Sequence, residues 1–289
     1  MTAPPRLRAL ALALLLQLIL LPLLGACEGN LSHPDPLLPW TAQPGQPMSC
    51  TPNLDGRIDA NEMKAALGID ARYRISAAGT TVTVDTAGKV NDEGQRVWDW
   101  SAGKPGDRAA VFGASAISMR WYAASFEAGA FVVPLDPAGQ VEAIYRHDSQ
   151  ALWLLGTASA EEKPAAGQTL LVYETPVPLF RFPLQNGSKW TATSKISKGT
   201  LYGLPWVGQD TYTVQVDATG RLELPDLTLT QAHRVRIDTT VTPAIGPALS
   251  QRRVSFVFEC LGEVARATSQ HNEVAADFSV ASEQRRLGL

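Results

Sequence analysis

The feature that most constrains this chain is a set of strictly alternating segments in its second half. Tyr212, Val214 and Val216 alternate with Thr211, Thr213 and Gln215. Val235 and Ile237 alternate with Arg234, Arg236 and Asp238, and Val254, Phe256 and Phe258 with Arg253, Ser255 and Glu259. A period of two places one set on each face of a strand, so each segment predicts a half-buried strand. One turn formula recurs along the chain: Asp85-Thr86-Ala87-Gly88, Asp136-Pro137-Ala138-Gly139 and Asp217-Ala218-Thr219-Gly220. Aspartate first and glycine fourth suit a type I turn followed by a left-handed residue, and three such hairpins predict consecutive antiparallel strands. The gaps are too short for the helices that parallel crossovers need. The expected fold over residues 71–289 is therefore mainly β, an antiparallel meander forming a curled sheet, sandwich or partly open barrel. One short helix is expected near the N-terminus, Ala60 to Leu67, with Asp59 as its N-cap and Gly68 just past its end.

The first 26 residues read differently. Behind Arg6 and Arg8, Leu10 to Leu24 is almost purely apolar. It is shorter than the roughly 20 residues of a spanning helix and fits the apolar region of a cleaved signal peptide. It ends in Leu24-Gly25-Ala26-Cys27, which resembles the lipobox of bacterial lipoproteins. The resemblance implies cleavage before Cys27, a diacylglyceryl group on its thiol and attachment to a membrane through the N-terminal lipid; two or three acyl chains hold stably where one is marginal. With Glu28 rather than aspartate next, the favoured place in the bacterial cell envelope is the outer membrane or cell surface. Residues 27–49, with Pro34, Pro36, Pro39, Pro44 and Pro47, read as an extended tether reaching up to about 65 Å at roughly 3 Å per residue.

Once Cys27 carries lipid, Cys50 and Cys260 are the cysteines that remain. In an oxidising envelope two leftover cysteines most simply pair. That disulfide would pin the start of the folded body to its last strands.

Residues 50–70 hold a second motif. Thr51 to Glu62 reads T-P-N-L-D-G-R-I-D-A-N-E and resembles a twelve-residue EF-hand loop without an entering helix, as in dockerin-like extracellular modules. The resemblance implies a calcium ion bound by Asn53, Asp55, the Arg57 carbonyl, Asp59 and Glu62, with Gly56 at the sharp turn. Thr51 departs from the pattern, removing the acidic first ligand, so binding should be weak and its role structural. Further along, Phe182-Pro183-Leu184-Gln185-Asn186-Gly187-Ser188-Lys189-Trp190, Leu224-Pro225-Asp226 and Phe258-Glu259-Cys260-Leu261-Gly262-Glu263-Val264 resemble the punctuation of periplasmic β-meander domains of unknown function. That likeness implies a fold and no activity.

Chemistry is harder to find. A formal net charge of −3, with charges dispersed, gives no footprint for nucleic acid. The four histidines lack metal-protease spacing. Gly113-Ala114-Ser115-Ala116-Ile117 only half resembles a nucleophile elbow, and Asp99, Glu142 and Glu174 are carboxylates with no visible pairing. Trp98 and Trp100 share one strand face and are expected in a core. The function expected first is a non-catalytic envelope or surface protein that binds a partner protein or acts as a scaffold. The alternative is a carrier that holds a lipid-like or other small ligand in a curled sheet, recognisable by an apolar lining. A hydrolase with a carboxylate pair is the weakest of the three.

Overall fold

A computed structural model describes residues 50–288. The signal segment, Cys27 and the tether to residue 49 lie outside the described residues. The strands are β1 Arg57–Ile58, β2 Asp70–Ile75, β3 Val82–Thr83, β4 Lys89–Val90, β5 Arg96–Asp99, β6 Arg108–Gly113, β7 Ser115–Ala116, β8 Phe131–Pro134 and β9 Val141–His147. They continue as β10 Ala151–Ser159, β11 Leu170–Arg181, β12 Leu184–Gln185, β13 Lys189–Leu201, β14 Leu204–Glu223, β15 Thr228–Pro243, β16 Leu249–Phe258, β17 Gly262–His271 and β18 Val280–Leu287.

Sixteen strands form one sheet in the order β6-β2-β18-β17-β16-β15-β14-β13-β11-β10-β9-β8-β7, with β3, β4 and β5 attached to its side. All pairings are antiparallel except β14 with β5. The sheet edges, β6 and β7, are separated only by Ala114, so the sheet curls into a barrel nearly closed along one seam. Antiparallel pairing sends alternate connections to opposite ends. The turns around 148–150, 182–188, 224–227 and 259–261 share one end. Those around 135–140, 160–169, 202–203, 244–248 and 272–279 share the other.

The alternating segments do become β14, β15 and β16, and β14 is half-buried as expected, but parts of β15 and β16 are buried on both faces. Val254 and Phe256 point outward, beneath a layer formed by residues 82–104, where Trp98 and Trp100 each meet Phe256 edge-on at 4.8 and 5.0 Å. Val214, Val216, Val235, Ile237 and Val257 form an inner cluster with Trp190, and Ile58 and Met63 insert into it. The segment carrying Ile58 and Met63 thus plugs the end of the barrel that holds the 259–261 turn.

Two local expectations are corrected. Ala60 to Leu67 is not a helix: a single 3-10 turn spans Ala60–Met63, capped by Asp59 and Glu62. The chain then leaves in extended form because Leu67 and Gly68 dock on Ala114, the Gly68 amide donating to its carbonyl at 2.8 Å. Asp217 to Gly220 is not a hairpin turn either; it lies inside β14 at a bulge. There the Asp217 carboxylate is taken by Arg234 rather than by a turn amide. The other two segments are turns. Gly139 closes on Asp136 between β8 and β9 with φ 66°. Gly88 donates to the Asp85 carboxylate, but its flanking strands pair with β18 and β5 instead of with each other.

Candidate functional site

The strongest concentration of chemistry lies inside the barrel. Directly paired residues share a face, which places Ile237, Arg253, Thr268 and Glu283 in one rung across β15, β16, β17 and β18. The next rung carries Val235, Ser255, Arg266, Arg285 and Ile75. Arg266 pairs with Glu283 at 3.3 Å and Glu263 at 3.5 Å, and Arg285 with Glu283 at 2.7 Å. From the opposite wall Tyr145 of β9 faces the same arginines and Glu263, and burial raises its hydroxyl pKa. Arg285 crosses towards the seam, where its guanidinium donates to the Leu135 carbonyl and stacks 4.2 Å over Phe112. Beyond these charges Tyr173 donates to Asp210 at 2.6 Å and shares a hydrogen bond with Tyr212 at 2.7 Å. Burial raises the Asp210 carboxyl pKa, against the Tyr173 hydrogen bond.

A hollow of about 260 Å³ opens beside this ladder, lined by Leu135, Gln251, Arg253, Arg266, Thr268, Ser282 and Glu283. Its wall is polar. Sequence reading missed these residues because it took Arg253 and Ser255 as the solvent side of their strand. In a curled sheet the non-core side of a strand can face the lumen. The available signal was basic residues recurring on successive strands at 253, 266 and 285.

The plug end carries the predicted disulfide: Cys50 and Cys260 are bonded, with Cα atoms 5.5 Å apart. Beside it the residues proposed to hold calcium are engaged by the chain itself. Glu62 accepts from the Asn53 side-chain amide at 2.9 Å and from the Asp59 backbone amide at 2.8 Å. The Asn53 carbonyl oxygen caps the Asp55 amide. The Arg57 side chain bridges Asp55 at 3.3 Å and Asp59 at 3.2 Å. Glu259, buried, receives the amides of Asn53 and Leu54 at 2.7 and 2.8 Å. Among the described residues no three His, Cys, Asp or Glu side chains converge as a metal site would need. The donor set fits a self-satisfied clamp, and an ion would have to displace Arg57.

The carboxylates considered for hydrolysis occupy three separate settings. Asp99 is exposed and bound to Ser101. Glu142 is buried under Tyr122 and Arg120, and Glu174 is exposed beside Ser197. Ser115 meets Arg120 at 3.1 Å, with no histidine bonded to it. No described helix is long and apolar enough to cross a membrane.

A third feature sits at the end opposite the plug. The β13–β14 hairpin exposes Tyr202, Leu204 and Val207, and the neighbouring β15–β16 hairpin exposes Ile245 and Leu249. Ile245 is 94% exposed and Leu204 69%, and the Ala244 amide donates to the Val207 carbonyl at 2.9 Å, joining the two hairpins.

Fold and interior together define a nearly closed antiparallel barrel with a charged lumen. Compared with family profiles, curated proteins and solved structures, the chain matches none.

Proposed function

We propose that this chain is a lipid-anchored protein of the bacterial envelope, held at the outer membrane or cell surface through Cys27, that binds a partner protein without catalysing a reaction. The observation that carries the reading is the apolar hairpin pair of Tyr202, Leu204, Val207, Ile245 and Leu249. Large apolar side chains scattered singly on a surface mean little, but a gathered patch marks an interaction site. The lipid-carrier alternative draws no support from the interior, whose hollow is lined by polar and charged side chains with Leu135 the one aliphatic among them. A small polar ligand is compatible with it. Calcium on the 51–62 loop would be a separate, structural addition that competes with Arg57 for Asp55 and Asp59.

The test pairs Leu204→Ser with Ile245→Ser in the protein solubilised gently from its host. The wild type should migrate in native electrophoresis above its monomer mass, and the double variant at monomer mass with an unchanged circular dichroism spectrum. Wild type already at monomer mass, or a double variant still in the larger species, would overturn the reading. Cys27→Ser should release the protein from membranes.

A further inference from the structure

We propose that the hollow beside Arg253 is a binding site for a compact oxyanion, a carboxylate or phosphate group, gripped by the Arg253 guanidinium with the Thr268 hydroxyl beside it. The inference goes beyond partner binding and does not depend on it.

Charge balance is the first argument. Arg253, Arg266 and Arg285 face one interior together with Glu263 and Glu283. Both glutamates are already in ion pairs with Arg266, and Glu283 also with Arg285. The Arg253 guanidinium forms no hydrogen bond or ion pair among the described residues. The third interior carboxylate, Asp210, is held by Tyr173 rather than by an arginine, so Arg253 alone of the three cations has no carboxylate paired to it. A desolvated charge without a partner is costly, and burial together with the neighbouring Arg266 charge pushes the Arg253 pKa down. Arginine cannot escape by giving up its proton at working pH. Arg253 is half-buried and the hollow beside it opens to solvent, so an anion entering there can balance its charge.

Geometry is the second argument. Arg253 and Thr268 are direct cross-strand partners on the lumen face, and both line the same 260 Å³ hollow. A guanidinium offers parallel N–H donors matched to a carboxylate or phosphate edge. The Thr268 hydroxyl is engaged by no hydrogen bond in the described residues, so it can supply a further donor. The Arg266 Nε–H is buried and makes no hydrogen bond, standing 3.5 Å from Glu263. Glu283, the neighbour of Thr268 on the next strand, limits the site to a small anion, since a bulky polyanion would press against that carboxylate. Leu135 and Gln251 place the hollow towards the end opposite the plug, where it opens to solvent.

Arginine-labelled full-length protein titrated with inorganic phosphate, and separately with acetate, provides the test by nuclear magnetic resonance. Millimolar anion should shift the Arg253 Nε–H signal saturably, the signal being assigned through Arg253→Lys. Affinity should fall about 10-fold or more in Arg253→Met, the cost of losing a charge-assisted pair, and less in Thr268→Val. The ranking of phosphate against acetate separates the two oxyanion types. A structural arginine would lower the melting temperature when removed, whereas Arg253→Met should melt as high as wild type, or higher, in anion-free buffer. Phosphate and acetate both leaving the Arg253 signal unmoved in the wild type would overturn the proposal, even if the methionine variant fails to fold. Equal affinities in wild type and Arg253→Met would do the same.

Discussion

The backbone amide of Cys260 donates to the carbonyl of Glu62 at 2.8 Å. The residue that makes the disulfide therefore also holds the acidic loop, and covalent bond, loop and barrel plug are one clamp. Ile58 and Met63, which fill the inner cluster, hang from it.

Removing that clamp should cost stability without abolishing the sheet. The disulfide closes a separation of 210 residues, for which chain entropy allows at most about 5 kcal/mol. Cys50→Ala with Cys260→Ala should lower the urea midpoint markedly. Equal midpoints for wild type and variant would show that hydrogen bonds alone hold the loop.

Gly220 should tolerate no side chain. A Cβ there would stand 2.3 Å from the Arg96 carbonyl oxygen and 3.0 Å from the Trp98 ring. The β5 backbone lies against it in the parallel pairing. Gly220→Ala must push β5 away, at a cost of about 1–3 kcal/mol. Thermal unfolding should show the loss, together with a changed near-ultraviolet signal from Trp98.

Asp217 should set part of the acid limit of the fold. Burial alone would raise its carboxyl pKa, but the hydrogen bonds and charges of Arg234 and Arg236 outweigh it and hold the pKa below the usual range. A depressed carboxylate contributes stability that is complete above its unfolded value, about 3.9, and lost as pH falls through the folded one. Asp217→Asn should cost about 1.5–3 kcal/mol at neutral pH, because two largely buried arginines lose one of the two carboxylates they share, Asp277 remaining. Its stability should then fall less steeply than wild type below about pH 4. Parallel acid profiles would refute the assignment.

Much of this architecture was legible. Alternation located β14, β15 and β16 because a period of two survives in any half-buried strand. Cysteine arithmetic located the disulfide, and Trp98 and Trp100 read correctly as core. What failed was everything decided by tertiary partners. Asp217-Ala218-Thr219-Gly220 has turn chemistry, yet Arg234 and Arg236 capture the carboxylate and β5 needs the bare glycine. Ala60 to Leu67 carries a cap and a stop signal, yet docking on Ala114 ends it after one turn. Arg253 could not be placed inside by pattern, because alternation says which residues share a face and not which face is enclosed.

The acidic loop gives a discriminating measurement. Arg57 occupies the space between Asp55 and Asp59, and as an exposed pairing it is weakly held. Wild type should melt alike in millimolar calcium and in chelator, while Arg57→Ala, with those carboxylates freed, should gain a calcium-dependent rise. A rise already present in wild type and lost in Asp55→Ala would instead establish the ion in the native loop.

The position of β18 between β17 and β2 has a consequence for biosynthesis. β2 is made well before β18, so β2 has only β6 to pair with until residues 280–287 arrive. A sheet dominated by such distant pairings folds slowly. If the chain is exported as proposed, that delay would be useful, because the sheet cannot be completed until residues 280–287 have been made.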